Sequence, residues 1–448
     1  MIPIIDFERR SLGGPVMKAT KFDLGFSRKL REVVEKYQVE YDPDVVIADD
    51  ATADAVFQAA VELLACVGLY QLDTQRVIEF GEAELLEIAR EQRENPPVAT
   101  FGSGDDQITV EYRTSDEERP PILAAGPAGA IEQEWFHAYI RTFVEEPSNR
   151  ALGIAGGITA VDGVVPKVGS VSEMHCAQWE CEQLLKILDD AGRPGMHLGL
   201  LCTASTPAAT MACIGPGLRT PSNTQIGVHV IPEQKIDWSR LVLAKFCEDR
   251  GITPWTSCMS VMGGLCRHGP DVAVALVANL LAQLAYAHGS MASLFTNRLD
   301  GTWGDLEVKW AFSAACRASE RNIRVPIAGC AIGNAEAMRT EASILQGAAT
   351  AVIMTASGFS YAWIAGGSGI DARLIGEVMT AVAGMPREQA GDLARSLLAE
   401  ADRVIAAGKQ PIEFLDAIDI KTAKAKPKFA AECENALETL ARLGALSG

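Results

Sequence analysis

Four aromatic residues, Trp303, Phe359, Tyr361 and Trp363, fall in loops expected at the ends of strands. Aromatic faces of this kind hold alkylated ammonium ions by cation–π attraction, worth roughly 0.5–2 kcal/mol per contact. The competing reading of the GFSYAW stretch is plain packing against a C-terminal helix. Asp271 and Glu336 would complement such a cation electrostatically. Arg267, Arg298 and Arg324 would bind a carboxylate if the ligand carried one, through the bidentate geometry open to arginine. Cys202 is a candidate nucleophile or, more plainly, a small core residue. Other chemistries find less support. The six histidines form neither HxH nor HExxH, and His175-Cys176 with Cys181 is the one close cluster of one His and two Cys. No GxSxG occurs, and the glycine-rich stretches at 125–130 and 365–369 match neither GxGxxG nor a P-loop.

Elements must bring these residues together. From residue 121 onward short apolar runs recur at 122–125, 152–156, 197–203, 225–230, 253–259, 290–296, 325–330 and 350–355, most followed by a helical pattern. The intervals of roughly 25 to 45 residues suit one strand plus one crossover helix. Eight such units in series predict an α/β protein, a (β/α)8 TIM barrel. Its active site would lie where the strands end, which places Cys202, Asp271, Trp303 and the aromatic stretch after residue 357 at one face. Residues 1–120 read as a mostly helical extension, with helices at 51–67 and 82–92 and a short strand at 108–113. Asp49 or Asp50 is a candidate cap for the first of these helices. Residues 121–370 form the barrel and 371–448 are helices packed on it or mediating assembly.

Composition narrows the function classes. The chain has 448 residues, 48% of them apolar, and a formal charge of −18. Such a chain buries a large core and is not disordered. An acidic surface disfavours nucleic acid, and the basic run at 421–428 reads as a linker. The apolar stretch 272–287 is interrupted by Asn279 and Gln283 and is too short to span a membrane. The charged pair near the N-terminus is unlike a signal peptide. The 11 cysteines, with no CxxC, suggest reduced thiols and a cytoplasmic enzyme.

Specific strings carry a resemblance. LDTQRVI at 72–78, Gly126-Pro127 with Gly129, AGRPGM at 191–196 and DARLIGEVMTAVAGM at 371–385 occur in barrel order. Over residues 42–443 the chain resembles the monomethylamine:corrinoid-protein methyltransferase family of methanogens. The resemblance implies a (β/α)8 barrel and a homo-oligomer, a hexamer in the known type. It implies methyl transfer from an amine to the Co(I) of a separate corrinoid protein. No permanently bound cofactor is implied, since the partner brings the corrinoid. This chain also lacks an Asp-x-His-x-x-Gly loop of its own. The family's signature is a pyrrolysine whose ring imine binds the amine, and its position falls on Gly199. A Glu-Glu pair of the family matches Pro270 and Asp271 after Gly263-Gly264. A Gln and a Tyr fall on Ile323 and Arg324 or Val325, an acidic position on Glu336, and a Trp-Gly on Trp303-Gly304.

Glycine offers no electrophile, so the donor is expected to be pre-activated. A quaternary ammonium departs as a neutral tertiary amine and needs neither adduct nor proton. Gly199, Asp271, Glu336, Trp303, Tyr361 and Trp363 are expected to line the pocket. Two alternatives stay open: transfer from a methoxy, methylthio or halomethyl donor, with metal assistance for the first two, and a non-catalytic barrel that binds a small molecule.

Overall fold

The computed structural model describes residues 2–127, 129–287, 291–331, 337–364 and 367–446. Four helices come first: α1 (Ile4–Gly13), α2 (Ala19–Lys36), α3 (Asp50–Val67) and α4 (Glu82–Glu94). Asp49 caps α3, its Oδ1 accepting Thr52 N–H at 2.8 Å. Eight parallel strands follow: β1 (Ile122–Leu123), β2 (Ala151–Gly156), β3 (His197–Leu201), β4 (Ile226–Gly227), β5 (Pro254–Met262), β6 (Met291–Arg298), β7 (Ile327–Ala331) and β8 (Tyr361–Ile364). The helices that succeed them in turn are α5 (Phe136–Val144), α6 (Val171–Asp190), α7 (Pro207–Ile214), α8 (Trp238–Arg250), α9 (Gly269–Tyr286), α10 (Leu306–Asn322), α11 (Glu341–Ala356) and α12 (Gly369–Ala381). The chain ends with α13 (Arg387–Ala406), the short α14 (Phe414–Ala417) and α15 (Pro427–Arg442).

Six strands hydrogen-bond in the order β1-β8-β7-β6-β5-β4, and β2-β3 form a separate parallel pair. That pair completes the ring. Arg150 N–H donates to Leu123 O at 3.0 Å on one side, and Leu198 N–H donates to Asn223 O at 2.9 Å on the other. The buried Asn149 amide fastens the first junction, donating to Ala125 O at 3.1 Å while its oxygen accepts Ala125 N–H at 2.8 Å. The expected TIM barrel is therefore the observed fold.

Seven of the eight expected runs overlap observed strands. The eighth does not: 350–355 is the C-terminal half of α11, and β8 begins at Tyr361. The reason is burial on all sides. Every residue of α11 is buried, so its apolar pattern carries no helical stripe and reads as a strand. The same all-round burial explains α9, which is long and apolar enough to cross a membrane yet lies 94% buried inside the fold. It packs between β5 and the flanking helices α3 and α10, as α11 does beneath α13 and α15. The terminal helices thus form a second layer outside the barrel.

The N-terminal end of the barrel is closed by an antiparallel hairpin, Ala99–Phe101 with Ile108–Val110. Phe101 and Val110 pack with Trp255, Met291 and Tyr361, from the beginnings of β5, β6 and β8. Phe101 also stacks on His197 at 4.3 Å. The strand expected over 108–113 ends at Val110, because it is one arm of this plug.

Candidate active site

The opposite end is open. On β5 the residues facing the helices (Thr256, Cys258, Ser260, Met262) are buried, whereas Ser257, Met259 and Val261, facing the lumen, are partly exposed. Ile154, Leu200, His229 and Asn297 on other strands are partly exposed as well. Water therefore enters the barrel from its C-terminal end down to about the level of Ser257. Below this lies the floor, where Trp255 meets Tyr361 edge-on at 5.7 Å.

Three rings gather at the mouth. Phe295 from β6 stands between Trp303, at 6.4 Å and 89°, and Trp363 from β8, at 6.2 Å and 72°. Ile154, Met259 and Cys330 complete this cluster. Gly153 makes room for it: a Cβ there would press to 3.1 Å from Trp363 Cδ1. The Trp363 indole N–H is buried and meets no partner among the described residues. Phe295 and Trp363 are buried and Trp303 is partly exposed at the rim, so the arc borders the open end with apolar π-surface, a surface suited to an alkylated ammonium.

The structure divides the residues singled out from sequence. Trp303 and Trp363 converge, joined by Phe295, which sequence reading missed because it sits mid-strand in an ordinary apolar run. Tyr361 belongs to the floor, one layer deeper, and its hydroxyl is buried. Phe359 precedes β8 and stacks on Phe312 of α10 at 4.5 Å, outside the ring. Both lie away from the mouth because β8 starts later than expected. Cys202 sits at the end of β3, exposed to solvent. The surrounding protein, with Glu180 nearby, nonetheless holds its thiol up at about 12, which keeps it protonated and poorly nucleophilic. Asp271 is buried in the first turn of α9, where its Oδ2 accepts Arg267 N–H at 2.8 Å and shapes the β5–α9 turn. Arg267 is exposed. Arg298 is engaged by Asp305 at 2.6 Å and Glu307 at 3.2 Å. Arg324 precedes β7 at the plugged end and stacks over Tyr112 at 5.8 Å, far from the mouth in the barrel's own layering. Glu336 lies outside the described residues. On α6, His175 is exposed while Cys176 and Cys181 are buried, so that cluster does not assemble.

Gly199 lies within β3, and a Cβ there would land on the Gly153 carbonyl oxygen. Arg219, wholly buried, donates to Leu198 O at 2.6 Å and also to Gly199 O, fixing the strand at this point. No side chain fits at 199 without displacing β2. Gly199→Ala is expected to cost about 1–3 kcal/mol by overpacking, read as a lower denaturant midpoint; an unchanged midpoint would refute the close approach.

Two groups near the open end, the buried Glu180 and the partly exposed His229, are neutral by environment. Glu180 of α6 is fully buried behind Gly156, and neither carboxyl oxygen has a hydrogen-bond partner among the described residues. Gly156 has φ 151°, and a Cβ there would stand 2.5 Å from Glu180 Oε1. Burial pushes the Glu180 carboxyl up to about 8. Burial pushes His229, at the end of β4, down to about 4, leaving a neutral imidazole that does not repel a cation. For Glu180 the folded chain keeps a proton that the unfolded chain releases from about pH 4.5, so stability falls as pH rises from there to about 8. Glu180→Gln should reduce that fall, seen as a smaller Tm difference between pH 5 and pH 8. An identical difference would show that the carboxyl is ionised throughout.

Residues 2–445 match the family described as Monomethylamine methyltransferase MtmB. The chain belongs to that family. It is accordingly a methyltransferase. Relatives include Monomethylamine methyltransferase MtmB of Methanosarcina mazei, 25% identical across 98% of this chain and 97% of the relative. MtmB1 of Methanosarcina acetivorans is 24% identical over the same shares. The fold matches the crystal structure of the Methanosarcina barkeri MtmB with a TM-score of 0.92 at 21% identity, covering 100% of this chain and 99% of that one. A structure described as the hydroxylamine MtmB complex matches with a TM-score of 0.91. MtmB relatives thus share the whole architecture, from the helical prelude to the C-terminal layer.

Proposed function

We propose that this MtmB-family chain removes a methyl group from a methylated amine, a quaternary ammonium, and passes it to the Co(I) of a corrinoid carried by a separate protein. The observation that carries the reading is the arc of Trp303, Phe295 and Trp363 at a mouth where position 199 has no room for an imine-bearing side chain. The arc would hold the cation by its π-faces, with its methyl groups turned to the lumen. Orientation does the remaining work, since a fixed donor removes the entropy cost of alignment. His229, neutral, adds no opposing charge. Val261, Asn297 and Trp303 at the open end are accessible to solvent, which suits an acceptor delivered from outside. A reduced corrinoid held by the partner would supply the nucleophile. The departing group is a neutral tertiary amine, so the chain needs no general acid. The same reading carries a cytoplasmic homo-oligomer with no nucleic-acid or membrane partner.

The test supplies a Co(I) corrinoid protein and, in separate reactions, tetramethylammonium, trimethylamine, dimethylamine and monomethylamine, with the demethylated amine quantified by mass spectrometry. Release of trimethylamine from tetramethylammonium is the expected result. Demethylation of monomethylamine alone would overturn the quaternary donor.

A further inference from the structure

A second polar group stands beside the arc. Lys309 on α10 is only 5% exposed and makes no ion pair among the described residues. Its Nζ donates to Thr350 Oγ1 at 2.7 Å, and Thr350 in turn donates to Gln346 O at 3.0 Å. An ammonium has three N–H donors, so two remain to be matched. Thr296 on β6, 3% exposed, has a hydroxyl with no partner among the described residues. Lys309, Thr296 and Thr350 line one cavity of about 20 Å³, set within a wider opening of about 350 Å³. Its other walls are Phe295, Trp303, Val308, Phe312 and Cys330.

A cavity of this size accepts one small polar group. Its unmatched polar groups are the Lys309 ammonium and the Thr296 hydroxyl, and its remaining walls are mostly apolar. Desolvated donors without acceptors are costly, and a carboxylate would satisfy them together. Among the described residues, the neighbouring carboxylates are already engaged. Asp305 and Glu307, on the same turn, are committed to Arg298. The cavity shares Phe295 and Trp303 with the arc, so an anion on Lys309 would lie beside the same rings that would hold a cation.

We infer that Lys309 and Thr296 bind the carboxylate of the methyl donor, so that the donor is a zwitterion, an N-methylated amino acid, whose ammonium lies on the aromatic arc. This rests on the proposed methyl transfer and narrows its substrate class. It also reassigns the carboxylate-binding role from Arg267, Arg298 and Arg324, which are exposed, already paired, or at the wrong end of the barrel.

The experiment is calorimetric binding to the full chain, without any corrinoid protein, of trimethylglycine, tetramethylammonium and acetate. Charge-assisted hydrogen bonds predict that trimethylglycine binds at least about tenfold tighter than tetramethylammonium. Lys309→Met should bind the two equally, and its Tm should not fall, because methionine fills the stem's volume without a buried charge. Thr296→Val should lose part of the preference. Equal affinities in the unmodified chain, or a preference that survives in Lys309→Met, would overturn the inference. Acetate binding as tightly as trimethylglycine would also overturn it, by showing a site for free anions. A lysine-dependent preference with no methyl transfer from trimethylglycine would leave the anchor standing and sink the transfer reading. Transfer from tetramethylammonium with no carboxylate preference would do the reverse.

Discussion

Trp303→Leu is expected to raise KM for a quaternary methylated amine by about tenfold, the loss of one cation–π contact of roughly 0.5–2 kcal/mol. Trp303 is partly exposed at the rim of the mouth, so its removal leaves the core intact and Tm close to that of the parent. The effect should fall on KM more than on kcat, because the contact is strongest in the ground state, before the charge on nitrogen disperses as the methyl group leaves. Phe359→Leu is the control. That ring stacks on Phe312 behind β7, and its loss should leave KM unchanged while lowering stability. If Trp303→Leu and Phe359→Leu give the same kinetics, the arc does not hold the substrate.

Phe101→Ala should be among the most destabilising single changes in the chain, costing about 3–5 kcal/mol. Phe101 is 1% exposed in the plug and stacks on the buried His197 at 4.3 Å. Its removal opens a cavity beneath Trp255 and Tyr361, the floor of the lumen. Denaturant unfolding measures the cost directly. A change below about 1 kcal/mol would mean that the hairpin is a loose cover and that the barrel closes without it.

The barrel was legible because seven strands alternate with crossover helices at regular intervals. The eighth was misplaced for a physical reason, since a helix buried on all sides loses the amphipathic stripe that marks it. That one shift moved Tyr361 and Phe359 from the expected mouth to the floor and the outer wall. The arginines misled for another reason. Arg298 looks available in a linear reading, yet Asp305 lies close enough for two hydrogen bonds. Lys309 was passed over because a lysine on a helix usually faces water; here Val308, Trp310 and Phe312 around it were the signal that its face is interior.

From the residues alone came the order of strands and helices, the helical layers at both ends of the chain, and the family. All of these are local or serial properties, carried by periodicity and by which residue occupies a position. Tertiary structure alone decided which aromatic rings meet, which charges are already paired and which lysine is buried. Those depend on strand register and on helices packing across the chain, where a two-residue step along β8 separates a ring at the mouth from one in the floor.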